Sequence, residues 1–202
     1  MKQMENIMII SHKYKYVFIK TRKTAGTSIQ ASLRRYCGDH DIASTLSPIP
    51  NDYIPLNHNP KLGAHVKSHK IKKYLGHEWK NYFTFAFERN PWDKTVSSFW
   101  WNFKEKGDFN SWCKRKDFPT DFNSYSEDDK VIVNSIFRYE NLIEDLYRVC
   151  EKLSIPWDGK LTKEKGDSRK SEKHYRDYYN DESIELVRQE FSREIELFGY
   201  EF

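Results

Sequence analysis

The sequence predicts an α/β fold, a parallel β-sheet flanked by helices, and three observations carry that expectation. A short β-branched and aromatic run leads into a polar turn and then an apolar stripe at helical spacing, once over residues 16–38 and again over 82–103. A third such pairing of strand and helix spans 131–153. Strands alternating with helices are buried as a parallel sheet covered on both faces.

Tyr16-Val-Phe-Ile-Lys20 is the first strand, and Thr21 to Gly26 the turn after it. Ile29, Leu33 and Tyr36 then recur at helical spacing until Gly38. From Asp39 to Pro60, Pro, Asn, Asp and Ser predominate, which predicts a surface loop able to shape a cleft. Tyr82-Phe-Thr-Phe-Ala-Phe87 is a strand apolar on both faces. Asn90-Pro91 supplies an N-cap and a first-turn proline for a helix with Trp92, Val96, Phe99 or Trp100, and Phe103 on one side. Val131 to Phe137 is the third strand, before a helix carrying Leu142, Leu146, Val149 and Leu153. The last helix starts at Asn180 or Asp181, carries Ile184, Val187, Phe191, Ile195 and Phe198, and stops at Gly199.

With 202 residues, the chain is expected to form one domain over 1–202. Its longest apolar runs are strand-length, well short of the roughly 20 residues a membrane helix needs. Met1 to Met8 lacks the apolar core of a secretory signal. Cys37, Cys113 and Cys150 are widely spaced with no C-x-x-C pair, a pattern that fits reduced thiols in the cytoplasm better than a zinc site or a disulfide framework. The net charge is only +4, but it is segregated. No acid opposes Lys13, Lys15, Lys20, Arg22, Lys23, Arg34 and Arg35 between Asn6 and Gly38. Further basic stretches run from Lys61 to Lys80 and from Lys160 to Arg176. Three such segments suit one polyanionic ligand, although each alone reads equally well as solvated surface.

A loop between a strand and a helix N-terminus offers free backbone N–H groups and the positive end of the helix dipole. Lys23, Thr24, Ala25, Gly26, Thr27 and Ser28 occupy that place, with Arg22 just before them. Gly26 permits close approach, the hydroxyls donate, and Lys23 brings a mobile charge. A Walker A loop, G-x-x-x-x-G-K-[ST], would need glycine where this chain has Val17 and Arg22, which speaks against a Mg-dependent nucleoside triphosphatase.

The segment Phe18-Ile-Lys-Thr-Arg-Lys-Thr-Ala-Gly-Thr-Ser28 resembles the 5′-phosphosulfate loop of the sulfotransferases that use 3′-phosphoadenosine 5′-phosphosulfate (PAPS). Phe87-Glu-Arg-Asn-Pro-Trp-Asp-Lys-Thr-Val-Ser97 resembles their 3′-phosphate motif, in the same order. Arg138-Tyr-Glu-Asn-Leu142 and Phe198-Gly-Tyr200 are similar to the carbohydrate-type and bacterial branch. The resemblance is weakest over 39–60 and 104–125. It implies the P-loop-like sulfotransferase fold, PAPS as donor co-substrate and no metal.

It also implies roles. Residues 22–28 would hold the 5′ side, and Arg89 and Ser97 the 3′-phosphate. A basic segment around Arg169 and Lys170 would lie near the same phosphate. Without the motif, Arg89 would read as a salt bridge to Asp93 or Glu88, and Ser97 as a helix-face serine. Lys23 would stabilise charge growing on the leaving oxygen during in-line transfer. The acceptor hydroxyl needs a base, and histidine, with an ordinary pKa of about 6.5, suits the task. Gly63-Ala-His-Val66 resembles the position where carbohydrate sulfotransferases carry a histidine after a small residue, which makes His65 the first choice, ahead of His69 and Glu88. Arg22 stands where many relatives have proline.

The expected function is sulfuryl transfer from PAPS to a hydroxyl acceptor, carbohydrate favoured, with neither nucleic acid nor membrane as partner and no indication of oligomeric state. The alternative is a noncatalytic binder of nucleic acid or sulfated glycan, because 16% aromatics beside basic stretches can stack on bases. Those aromatics fall mainly on core stripes. Trp100, Trp101 and Trp112 could line an acceptor groove, with core packing the better reading for Trp100.

Overall fold

The computed structural model describes residues 8–43, 66–103, 107–162 and 173–202. Among them the main sheet has five strands: β1 (Met8–Ser11), β2 (Tyr16–Ile19), β3 (Ile42–Ala43), β4 (Phe83–Glu88) and β7 (Ser135–Arg138). Their order is β3-β1-β2-β4-β7. The expected parallel core is present: β2 pairs with β4, Phe18 opposite Phe85, and β4 pairs with β7, Phe87 opposite Phe137.

Two antiparallel strands extend that core at one edge, where no strand was expected. β1 folds back onto β2 with Ile10 opposite Val17, and β3 pairs with β1 with Ile9 opposite Ala43. Asp41 stabilises the turn between β1 and β2. Its carboxylate accepts from the Ser11 hydroxyl at 2.6 Å and from the backbone N–H groups of His12 and Lys13 at 2.7 and 3.0 Å. A carboxylate that receives three donors fixes a turn well.

Side-chain alternation explains why both faces are covered. Ile9, Tyr16, Phe18, Phe85 and Phe87 pack on one face with Ile29 and Leu33 of α1 (Gly26–Arg34) and Leu142, Leu146 and Val149 of α6 (Leu142–Lys152). Met8, Ile10, Val17, Ile19 and Ala86 pack on the other face with Ile71 of α2 (Ser68–Leu75) and Tyr125 of α5 (Phe122–Tyr125). A further aromatic cluster joins α3 (Pro91–Phe103), α4 (Phe109–Cys113) and the C-terminal helices through Trp92, Phe99, Phe109, Trp112 and Phe191.

Three expected boundaries shift, each for a local reason. The strand expected over 131–137 begins at Ser135, because the Asn134 side chain already accepts from the Thr84 N–H at 2.7 Å, in place of a ladder bond. Lys130 and Val131 instead belong to a hairpin of β5 (Ser126–Glu127) and β6 (Lys130–Val131). Asp128 and Asp129 turn it, with φ of 48° and 60°, the left-handed pair that a two-residue hairpin requires. The last helix is two, α7 (Asp181–Glu190) and α8 (Ser192–Phe198), meeting at the buried Phe191. Asn180 caps α7 and Gly199, at φ 62°, ends α8, both as expected.

Among the described residues no helix is long and apolar enough to cross a membrane. The three cysteines are free thiols, and burial pushes each up to about 12.

Candidate active site

Parallel pairing of β2 with β4 puts the loop after Ile19 beside the turn after Glu88, at the carboxyl ends of neighbouring strands. Open α/β sheets bind ligands there. Direct bonds tie the two turns together. The Thr21 hydroxyl donates to the Phe87 carbonyl, and Arg89 Nη1 donates to the Lys23 carbonyl at 3.0 Å.

The loop is tightly wound. Lys23 and Ala25 both take left-handed backbone, φ 61° and 55°, which costs on the order of 1 kcal/mol each for residues other than glycine. Alternating hands turn successive N–H groups toward one side, the geometry of an anion nest. Ala25 precedes α1 without a side-chain cap, and no acid lies in the first turn. The helix start thus keeps its positive end for a ligand. Lys20 Nζ donates to Thr27 Oγ1 at 2.9 Å, and its stem crosses Gly26 so closely that a Cβ there would meet Lys20 Cγ at 2.5 Å. A side chain at position 26 would therefore force Lys20 to move. Thr24 is held by Thr21 at 2.9 Å, and Thr27 and Ser28 are buried in the first turn of α1.

Arg22 faces a different partner from the one its place in the loop suggested. Its backbone N–H and Nε reach Asp121 at 2.7 and 3.2 Å, and its Nη2 donates to the Thr120 carbonyl. Lys23 Nζ lies 4.7 Å above the ring of Trp101, which is 43% exposed. Trp101 is the member of its trio placed beside the loop: Trp112 is buried among Phe99, Phe109 and Phe118, and Trp100 packs edge-on against Phe99 and Tyr178.

Arg89 forms the salt bridge weighed as its simpler use. Nε and Nη2 both donate to Asp93 Oδ2, at 2.9 and 2.6 Å, and the guanidinium stacks 4.3 Å from the Tyr139 ring centre. Aspartate and ring hold the fork in place while Nη1 spans to the loop. Ser97 lies half-buried on α3, two turns beyond Asn90, whose side chain accepts from the Trp92 and Asp93 N–H groups. Glu140 accepts from the Asn90 N–H at 2.8 Å and from the Tyr200 hydroxyl at 3.2 Å. All four motif segments singled out in the sequence thus meet around one turn.

Glu88, a fallback base, is fully buried. Lys94 Nζ lies 2.6 Å from Oε1, the Arg89 N–H donates to the same oxygen, and the Tyr125 hydroxyl donates to Oε2 at 3.3 Å. Burial, with help from Asp121, pushes this carboxyl up to about 7 against the pull of Lys94. These bonds keep Glu88 inside the protein, away from an acceptor. His69 lies on α2, half-buried, and lines a cleft of about 490 Å³ with Lys67, Asn123, Ser126, Glu127 and the Asp128–Asp129 turn. His65, Arg169 and Lys170 lie outside the described residues.

Sequence reasoning passed over Asp121 and Lys94. Both side chains are buried, and Lys94 bridges Glu88 at 2.6 Å and Asp121 at 2.8 Å. Lys94 stood in view within the second motif. Asp121 is one acid in a weakly patterned stretch, 99 residues from its partner Arg22.

Comparisons with known proteins identify the family and the fold. The model of the sulfotransferase family matches residues 6–160, and the chain belongs to that family. An uncharacterized protein of Archaeoglobus fulgidus is 35% identical over 85 residues, covering 37% of this chain and 70% of that protein. The crystal structure of mouse sulfotransferase SULT7A1 complexed with PAP shares the fold at a TM-score of 0.52 and 14% identity, over 94% of this chain and 86% of that one.

Proposed function

We propose that the chain is a PAPS-dependent sulfotransferase acting on a hydroxyl acceptor, carbohydrate favoured, as one domain over 1–202 and in the cytoplasm. The observation that carries this reading is the 3.0 Å bond from Arg89 Nη1 to the Lys23 carbonyl, which joins a wound anion loop to an arginine fork at neighbouring strand ends. A ligand with anionic groups at both ends suits such a pair of sites.

Residues 23–28 take the 5′ side, through backbone N–H groups, the Thr24, Thr27 and Ser28 hydroxyls and Lys23, while Arg22 stays with Asp121 and Thr120. Arg89 and Ser97 take the 3′-phosphate, with Arg169 and Lys170 as further cations for it. In the transfer, the acceptor oxygen forms the new S–O bond as the bond from sulfur to the bridging oxygen breaks. The electron pair leaves with adenosine 3′,5′-bisphosphate, where Lys23 meets the growing charge, and the acceptor proton goes to His65. Trp101, beside Lys23, offers a ring face to a sugar. The step requires no metal, and EDTA should leave turnover unchanged.

Calorimetric titration tests the donor site. Wild type should bind adenosine 3′,5′-bisphosphate in preference to adenosine 5′-monophosphate or Mg-ATP, and Arg89→Ala should weaken it by 1.5–3 kcal/mol, or roughly tenfold to a hundredfold. Preference for Mg-ATP, or affinity only for long polyanions, would overturn the reading. His65→Ala should keep the bisphosphate affinity and lose turnover by roughly a hundredfold or more. Wild-type turnover in that variant would remove His65 from the reaction.

A further inference from the structure

We infer that Asp121 is a positioning residue, holding the anion loop in its binding shape from beneath. The inference rests on the donor reading above. Asp121 Oδ2 accepts from the Arg22 N–H at 2.7 Å, and Oδ1 accepts from Arg22 Nε at 3.2 Å. One carboxylate thereby grips the residue that immediately precedes the left-handed Lys23 by backbone and side chain together.

Asp121 is itself held rigidly. Lys94 Nζ lies 2.8 Å from Oδ2, and the Asp121 and Phe122 N–H groups both donate to Glu194 Oε1 at 3.0 Å. Lys94 connects it to Glu88, the last residue of β4, and Glu88 is followed directly by Arg89. The clamp therefore runs from α8 through Asp121 to the loop, and through Lys94 to the strand end that presents the arginine fork. Bonds this far apart in sequence, buried and charge-assisted, keep a loop in an otherwise unfavourable backbone conformation. Lys94 keeps its 2.6 Å bond to Glu88 when Asp121 is changed, so the arginine fork stays in place, and loss of Asp121 should weaken binding at the 5′ side and spare the 3′ side.

The experiment compares two nucleotides, adenosine 3′,5′-bisphosphate and adenosine 3′-monophosphate, on wild type, Asp121→Asn and Arg22→Ala. Asp121→Asn should weaken the bisphosphate by tenfold or more and leave the 3′-monophosphate within about twofold of wild type. Arg22→Ala removes only the side-chain half of the grip and should show the same selective loss, about threefold; it decides the matter if Asp121→Asn does not fold. Equal loss of both nucleotides, or no loss of either, would overturn the inference. If wild type binds neither nucleotide, the donor reading fails, and hydrogen exchange at the Arg22 to Gly26 amides still decides. Exchange at least tenfold faster in Asp121→Asn, with β2 and β4 unchanged, supports the clamp; unchanged exchange overturns it.

Discussion

Glu88 is an ionisable carboxyl without solvent, at the point where β4 delivers Arg89. Its folded value of about 7 lies above the ordinary 4.5, so the folded chain holds this proton more firmly than the unfolded chain does. The stability it contributes is full below pH 4.5 and is lost as pH rises toward 7. Glu88→Gln keeps the shape without ionising. Its stability relative to wild type should therefore rise between those limits, by on the order of 3 kcal/mol. Denaturant unfolding of both proteins at pH 5 and pH 8 measures the gap, and an equal gap at both would show that Glu88 does not titrate there. Asp121 behaves oppositely. Burial alone would raise it, but Lys94 and Arg22 outweigh burial and hold it below the ordinary aspartate value, so its contribution is present near neutrality and lost in acid.

Elements were legible where their signals were local. Asn90-Pro91 announced α3, and the Asn90 side chain does accept from the first-turn N–H groups. Asn90→Ala should cost about 1 kcal/mol and lower Tm by about 2–4 °C, as a thermal melt would show. An unchanged Tm would mean the proline alone starts the helix. Elements set by distant partners were not legible. β1 is four residues long and depends on Asp41, 30 residues beyond Ser11, to hold its turn. The break between α7 and α8 carries no glycine or proline. It follows from the need to bury Phe191 while Glu194 reaches the Asp121 and Phe122 amides.

For the molecule as a whole, the adjacency of the loop and Arg89 followed from alternating strands and helices, since parallel neighbours place successive turns at one sheet edge. The support beneath that edge could not be read in the same way. Lys94, Asp121 and Glu194 are each ordinary charged residues in sequence, and only the folded chain brings them together. Arg22 shows the same limit: its place in the loop suggested an anion ligand, whereas its bonds run to Asp121 and Thr120.

The thiols at Cys37, Cys113 and Cys150 have a practical consequence. Alkylating and disulfide reagents attack thiolate, and groups titrating at about 12 present almost none at neutral pH. The native chain should take up little maleimide at pH 7, which intact mass measurement would show, and rapid triple labelling would contradict it. A cysteine introduced at an exposed position, such as Tyr147→Cys on α6, would then be the one handle for a fluorophore or spin label. The fold thus supplies a silent background for site-directed spectroscopy without removal of any native cysteine.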